Sequence, residues 1–332
     1  MPVQFCTGMY GNRQSSKPGG RARMELTKIQ GASHDIEGLR TIVARQAISA
    51  NALAALGLAM EARVQDKPLD SDTARRIEAV LGEFGVSGIV ADASAAELAP
   101  VLAGIRVDLL SAVKLLSQPS ADGETRRLEA SMRQAFGDVS AGFPALLKRS
   151  IAPQLEGLLE RLEAPGAAFL DIGVGVGVLS VSMLRQWPNL RAVGIDPLPD
   201  AIAQARSNIK AAGLRHRIEL RIGLGQEIID EDAFDLAFVP SAFIPDPQVR
   251  AIVARCRTAL RPGGWLLLAM INPGPDALGA ALARFRTTLW GGTVFENGEA
   301  EALVEQCGYA DTRLLPGPAG APITFVAGRK PG

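Results

Sequence analysis

Residues 169–177 read FLDIGVGVG, an apolar run with an acid near its end, followed by three alternating glycines. Glycine lets the backbone turn sharply and approach a ligand closely beside a helix N-terminus. The stretch therefore predicts a buried strand, a tight turn and a helix, as at the ligand sites of α/β sheets. A tight turn that binds no ligand can have a similar sequence. The rest of the chain must therefore distinguish a ligand-binding turn from a purely structural one.

The glycine spacing separates two kinds of nucleotide ligand. The dinucleotide fingerprint G-x-G-x-x-G requires a third glycine where this chain has Val178. Asp171, directly before the turn, would repel a pyrophosphate and suits a ligand that carries an ammonium group. The spacing therefore disfavours a nicotinamide-dependent oxidoreductase, which stays the rival enzyme class.

Two later features support a nucleoside ligand. The next strand ends at Asp196, where a carboxylate can accept hydrogen bonds from both ribose hydroxyls. A solvated loop aspartate is the alternative for this residue. Residues 260–264, LRPGG, then lead into another apolar strand.

From residue 167 onward, short apolar runs alternate with amphipathic stretches, which predicts a parallel sheet covered by helices on both faces. Thr312–Leu315 and Ile323–Ala327 flank a Gly/Pro turn and predict an antiparallel hairpin at the sheet edge. The other strands are expected at Ala168–Ile172, Ala192–Ile195, Ile218–Arg221, Leu236–Val239 and Trp265–Met270.

The segment before the sheet is expected to be helical, because apolar residues recur at helical spacing without strand-like alternation. Asp70 and Gly85 are the expected ends of one helix, and Ser94 with Glu97 has capping-box spacing. We divide the chain into a disordered tail at 1–30, a helical domain at 31–140 and an α/β domain at 141–332.

Composition restricts the classes of partner. The 35 basic and 35 acidic side chains give a net charge of zero, whereas nucleic-acid binders usually carry a basic excess. We therefore predict no nucleic-acid partner. The cysteines and histidines are scattered, which predicts neither a disulfide framework nor a metal site and suits the cytoplasm. They are Cys6, Cys256, Cys307, His34 and His216.

No uninterrupted apolar run approaches the roughly 18–20 residues that cross a bilayer, so no membrane partner is predicted. The first 23 residues carry four basic and no acidic side chains and lack the apolar core of a secretory signal. A transit peptide, a disordered tail and a start at Met24 are the alternatives for this segment.

In the content and order of these motifs, residues from about Phe143 to Arg329 resemble the class I S-adenosylmethionine-dependent methyltransferases. The resemblance implies a Rossmann-like seven-stranded methyltransferase sheet, S-adenosylmethionine as cofactor and methyl transfer as the activity. The whole chain resembles bacterial small-molecule methyltransferases with an N-terminal all-α domain. In that group the helical domain covers the acceptor pocket and helps to form a homodimer, so both are expected here.

The resemblance also implies which residues bind the cofactor. The glycine loop and its preceding acid line the methionine end, the second acid holds the ribose, and the residues after it pack on adenine. Many relatives have an acid, which accepts a hydrogen bond from the adenine amino group, where this chain has Leu224. Gln226 is expected to accept that hydrogen bond instead. The implied cofactor-binding residues are Asp171, Gly173, Val174, Gly175, Asp196, Pro197, Leu198, Gln226 and Pro240.

The acceptor is expected to be a small-molecule hydroxyl. Enzymes that methylate nucleic-acid amino groups often carry Asn/Asp-Pro-Pro-Tyr/Phe after the fourth strand, and this chain reads PSAFI at 240–244. Methylation at nitrogen or carbon, aminopropyl transfer, and a non-catalytic cofactor-binding or interaction protein of the same fold are the alternatives.

No catalytic base is assigned from the sequence. His216 directly precedes the third strand, which places it at the edge opposite the cofactor crevice. The remaining candidates are loop carboxylates, which are as readily interpreted as solvated surface residues. Without a base, catalysis would depend on alignment and desolvation of the acceptor. These carboxylates are Asp246, Asp276, Glu296 and Glu299.

Overall fold

The computed structural model describes residues 35–117, 129–273, 276–315 and 323–332. The predicted tail at 1–30 and the predicted Gly/Pro turn before the last strand lie outside these residues. The described chain comprises an N-terminal helical half followed by a seven-stranded sheet with helices on both faces.

The helical half has its own small core, which includes Met60, Leu81, Leu98 and Leu102. Its helices are α1 (Ile36–Val64), α2 (Ser71–Phe84), α3 (Ser87–Asp92), α4 (Ala95–Ser117) and α5 (Ala130–Val139).

The predicted helix ends of α2 and α4 are confirmed. The Asp70 carboxylate accepts a hydrogen bond from the backbone N–H of Thr73 at 3.0 Å, which satisfies a free donor in the first turn of α2. Gly85 ends α2 in the left-handed conformation, with φ of 66°. Ser94 and Glu97 exchange the two bonds of a capping box before α4.

The absence of an uninterrupted apolar run does not exclude a helix that is both long enough and apolar enough to cross a membrane. By length and composition alone α1 meets both requirements, and 6% of its most apolar 18-residue stretch is buried. Its apolar side chains are interspersed with polar ones, so no continuous run marks it. Met60 packs into the helical core, whereas Ile36, Val43 and Ile48 are 58–70% exposed.

The segment between the two halves consists of short helical turns. Pro153, which cannot donate a backbone hydrogen bond, lies in a short turn at Ala152–Gln154. The structure has α6 (Phe143–Leu146) and α7 (Leu158–Glu163), separated by irregular turns.

The sheet has the order β3-β2-β1-β4-β5-β7-β6. The first five strands are parallel, and β7 runs antiparallel to both β5 and β6. The strands are β1 (Ala168–Ile172), β2 (Arg191–Asp196), β3 (Ile218–Ile222), β4 (Phe234–Pro240), β5 (Leu260–Ile271), β6 (Ala310–Leu315) and β7 (Ile323–Arg329). The predicted fold class, a Rossmann-like seven-stranded sheet after an all-α domain, is confirmed. The inserted β7 distinguishes it from the dinucleotide-binding order 3-2-1-4-5-6.

Both faces of the sheet are buried, as the predicted parallel sheet requires. Neighbouring residues of β1 point to opposite cores: Phe169 packs with Trp187 and Trp265, while Leu170 packs with Val239 and Leu268. The covering helices are α8 (Val178–Gln186), α9 (Pro199–Ala211), α10 (Asp246–Ala259) and α12 (Glu299–Gln306), and α11 (Ala277–Leu289) follows β5 in the chain.

Candidate functional site

The glycine loop joins β1 to α8 and has three glycines with positive φ. Gly173, Gly175 and Gly177 have φ of 65°, 53° and 78°, a region that other residues rarely adopt. A Cβ atom on Gly177 would lie 3.3 Å from the Cβ of Ala205, so this glycine also permits close packing. A Cβ atom on Gly175 would meet nothing nearer than the Gly173 carbonyl oxygen at 3.8 Å. The protein thus leaves free space directly above Gly175.

Asp196, at the end of β2, is bonded to this loop. Its Oδ2 accepts the backbone N–H of Gly175 at 3.0 Å, and its Oδ1 accepts the N–H of Leu198 at 2.9 Å. Burial raises the pKa of this carboxyl, and the two hydrogen bonds and the charge of Arg133 oppose that rise. A carboxylate has about four acceptor positions, so each oxygen can still accept one more hydrogen bond.

Asp171, at the end of β1, is buried beneath the loop. The Ser180 hydroxyl of α8 donates a hydrogen bond to its Oδ2 at 2.6 Å. Burial raises the pKa of Asp171 to about 7, and the nearby charge of Asp196 acts in the same direction. Asp171 is 2% exposed, so the Ser180 hydroxyl within the protein, rather than solvent, is its hydrogen-bond partner.

The other residues implied by the resemblance lie at the same edge of the sheet. Val174 is buried against β2, where a Cβ on Gly194 would come within 2.6 Å of its Cγ2. Pro240 at the end of β4 faces the loop, since a Cβ on Gly173 would lie 3.4 Å from its Cγ. The set is completed by the exposed Pro197 and Leu198 after β2 and the half-buried Gln226 after β3.

Helix α5 of the helical half also reaches this crevice, which no local motif in the sequence indicated. A Cβ on Gly137 would lie 2.3 Å from Cγ2 of Val176, so α5 packs directly on the glycine loop. Arg133 of the same helix is close enough to Asp196 to lower its pKa. The only sequence signal was that α5 is amphipathic.

An aromatic cluster of Phe136, Phe243 and Trp290 lies beyond the C-terminal end of β4. Phe243 and Trp290 are stacked with ring centroids 5.2 Å apart, and Phe136 of α5 meets them edge-on at 5.3 and 5.0 Å. Arg286 lies over the Trp290 ring at 5.0 Å and pairs with Asp108 of α4 at 3.0 Å. Phe243 belongs to the PSAFI stretch after β4, and nothing in the sequence indicated its two ring partners.

The loop that carries Phe243 is held in place by hydrogen bonds. The backbone N–H of Thr293 donates to the Ser241 carbonyl at 3.0 Å, and its hydroxyl donates to the Ile244 carbonyl at 2.7 Å. The Ser241 hydroxyl is buried and donates to the Ala269 carbonyl at 2.9 Å. This hydroxyl is therefore engaged in the fold rather than turned to a substrate.

The titratable candidates from the sequence all have structural contacts. His216 lines a cavity of about 230 Å³ together with Ala168 and Arg191, the first residues of their strands, so it lies opposite the crevice as predicted. Each loop carboxylate has a neighbouring partner, and none is assigned as a base. The pairs are Asp246 with Arg250, Asp276 with Gly279, Glu296 with Arg284, and Glu299 with the Glu296 N–H.

Comparisons with known proteins agree with this geometry. Residues 169–264 match the family described as "Methyltransferase domain". A release factor glutamine methyltransferase from Cereibacter sphaeroides is 31% identical over 175 residues, covering 49% of this chain and 60% of that protein. A ubiquinone biosynthesis O-methyltransferase from Xanthomonas axonopodis pv. citri is 34% identical over 133 residues, covering 39% and 53%.

Similarity at the level of the fold extends further along the chain. The structure of an O-methyltransferase family protein from Burkholderia thailandensis superposes with a TM-score of 0.57 at 15% identity, covering 88% of this chain and 98% of that one. The sequence matches are shorter, and in them the chain spans 53–60% of the length of the two curated relatives. The helical half is thus related to known proteins by its fold.

Proposed function

Because the chain carries a class I S-adenosylmethionine-dependent methyltransferase domain, we propose that it transfers the methyl group of S-adenosylmethionine to the hydroxyl of a small molecule. When bound, this cofactor supplies a methyl group made electrophilic by the sulfonium that carries it. The residues around the crevice must then hold the cofactor, exclude water and align the acceptor.

The crevice fits such a cofactor. The space above Gly175 lets a ligand approach the loop backbone, next to the N-terminus of α8, where a carboxylate is favoured. The two oxygens of Asp196 are already oriented by backbone donors and retain acceptor positions for the ribose hydroxyls. Leu198, 42% exposed, is the apolar surface available to the adenine ring.

The aromatic cluster of Phe136, Phe243 and Trp290 is the observation that supports a small acceptor. It covers the end of β4, next to Pro240 and the glycine loop, with rings from both halves of the chain. This surface is partly open, with Phe243 43% exposed, and its rings offer a compact apolar molecule a place to stack.

The loop after β4 favours a hydroxyl over an amine. The relatives' names include both a glutamine methyltransferase and an O-methyltransferase. In this chain the position after Pro240 holds Ser241, whose hydroxyl is bonded to a backbone carbonyl, and no amide is present there to polarise an amine. Methylation at oxygen is therefore the better match.

Calorimetry of the full chain with S-adenosylmethionine, S-adenosylhomocysteine and NAD tests the cofactor. We expect the first two to bind and NAD to give no heat. Incubation with methyl-labelled cofactor and separate pools of phenols, alcohols, amines and polypeptides then tests the acceptor, with products read by mass spectrometry. Binding without transfer to any pool would support the non-catalytic alternative, and transfer to polypeptide alone would contradict the proposed acceptor class.

We further propose that a second copy of the chain covers the exposed part of α1. The C-terminal part of α1 cannot enter a bilayer, because Met60 is packed in the helical core and Glu61 pairs with Arg106 at 2.6 Å. The remaining exposed part carries charged residues, including the Glu37–Arg40 ion pair, which suits a protein interface better than lipid.

Light scattering tests this assembly. We expect a dimer for the full chain, and a shift toward monomer when Ile48 and Val43, both exposed, are replaced by Glu. A monomeric wild-type protein that instead sediments with lipid vesicles would overturn the proposal in favour of a membrane contact.

A further inference from the structure

A row of side-chain amides connects α5 to α9 and ends on the glycine loop. Asn208 of α9 donates one N–H to the Val176 carbonyl at 2.9 Å and the other to Oε1 of Gln134 at 3.0 Å. The same Gln134 oxygen accepts from Gln204 at 3.1 Å. Gln134 then donates to Asp138 at 2.7 Å, one turn along α5.

The spacing explains why these residues meet. Gln134 and Asp138 lie four residues apart on α5, and Gln204 and Asn208 lie four residues apart on α9, so each pair shares one helix face. The two faces are brought close by Gly137, since any side chain there would collide with Val176. The network therefore depends on α5 lying directly against the loop.

We propose that Asn208 is a positioning residue for the cofactor loop and that Gln134 orients Asn208, so that α5 and the glycine loop bind the cofactor as one unit. This inference rests on the proposed use of the loop for S-adenosylmethionine. It assigns the helical half a part in cofactor binding as well as in covering the acceptor.

The physical reason lies in the freedom of the loop. Val176 stands between Gly175 and Gly177, and a chain with this much glycine has many conformations of similar energy. The bond from Asn208 fixes the Val176 carbonyl and so favours the one conformation in which the space above Gly175 is open to a ligand. The apparent dissociation constant is inversely proportional to the population of that conformation, so it rises when the population falls.

The test is calorimetry with S-adenosylmethionine on the wild type, Asn208→Ala, Gln134→Ala and the double variant. Asn208→Ala should weaken binding about three- to tenfold, the effect of one neutral hydrogen bond. Gln134→Ala should weaken it less, and the double variant should match Asn208→Ala because Gln134 acts through Asn208. Asn189→Ala is the matched control, since Asn189 also donates to a backbone carbonyl, that of Glu163 at 3.1 Å, at the opposite edge.

Hydrogen exchange in the free protein provides a readout that needs no cofactor. The N–H groups of Val174, Gly175 and Gly177 are all hydrogen-bonded within the loop region, so they report its order. They should exchange faster in Asn208→Ala and unchanged in Asn189→Ala, with melting temperatures close to that of the wild type.

The outcomes separate the two proposals. A wild type that does not bind S-adenosylmethionine overturns the proposed function, and the exchange rates then decide the positioning role alone. A wild type that binds, with Asn208→Ala binding equally well and exchanging at the same rates, overturns this inference. Losses that add in the double variant would contradict the role of Gln134 through Asn208.

Discussion

The Asp196 carboxylate accepts the backbone N–H of Gly175 at 3.0 Å, which joins the end of β2 to the middle of the glycine loop. The residue proposed to hold the ribose is therefore also the residue that orients the loop for the methionine end. Parallel strands β1 and β2 end at the same edge, so two segments 21 residues apart in sequence form one site.

Asp196→Ala should weaken S-adenosylmethionine binding about tenfold to a hundredfold, since a hydrogen bond to a charged group contributes about 1.5–3 kcal/mol. The dissociation constant is measured by calorimetry. Asp232→Ala is the control, because Asp232 pairs with Lys330 at the opposite edge of the sheet. Equal affinities for the wild type and Asp196→Ala would refute the ribose assignment.

Gly175→Val should abolish cofactor binding. The branched side chain would occupy the free space above the loop and would also resist the φ of 53°. Gly157→Val is the matched control: Gly157 has a φ of 73° and open space around it but lies away from the crevice. If both variants fold and Gly175→Val still binds the cofactor normally, the loop has only a structural role.

Asp171→Asn should change how stability depends on pH. The pKa of Asp171 is about 7 in the folded protein against 3.8 when unperturbed, so between these values the folded state holds a proton that the unfolded chain has lost. This group's contribution to stability therefore falls as the pH rises through that window. The melting temperature of the variant, relative to the wild type, should increase from about pH 4 to about pH 8. A constant difference would contradict the raised pKa.

Asp235→Ala should destabilise the fold without changing cofactor affinity. The buried Asp235 carboxylate accepts the Ala168 N–H at 2.9 Å and pairs with Arg161 and Arg261 at 3.3 and 2.5 Å, at the edge opposite the crevice. Its loss leaves the part-buried Ala168 N–H without this acceptor, and an unsatisfied buried donor costs about 1–3 kcal/mol, so we expect a loss toward the lower end of that range. Both arginines are about one-third exposed and can turn to water, so the ion pairs add little. Urea denaturation measures the loss, and a weaker cofactor affinity in the folded variant would contradict this view.

The sequence by itself determined the features that depend on neighbouring residues. The caps at Asp70, Gly85 and Ser94 and the turn at 173–177 follow from local backbone preferences, which a short stretch encodes completely. The alternation of strands and helices determined the sheet and its ligand-binding edge, because parallel strands need helical crossovers and end on one side.

Only the tertiary structure decided how the two halves meet. Gln134 and Asn208 are 74 residues apart, and Phe136 meets Trp290 across most of the sheet domain, so no local pattern records either contact. The exposure of α1 is also a tertiary property, since its composition is compatible with a core helix, a membrane helix or an interface. Such contacts depend on which amphipathic faces pack together. The periodicity of apolar residues shows that a helix has an apolar face, but it does not show which element packs against that face.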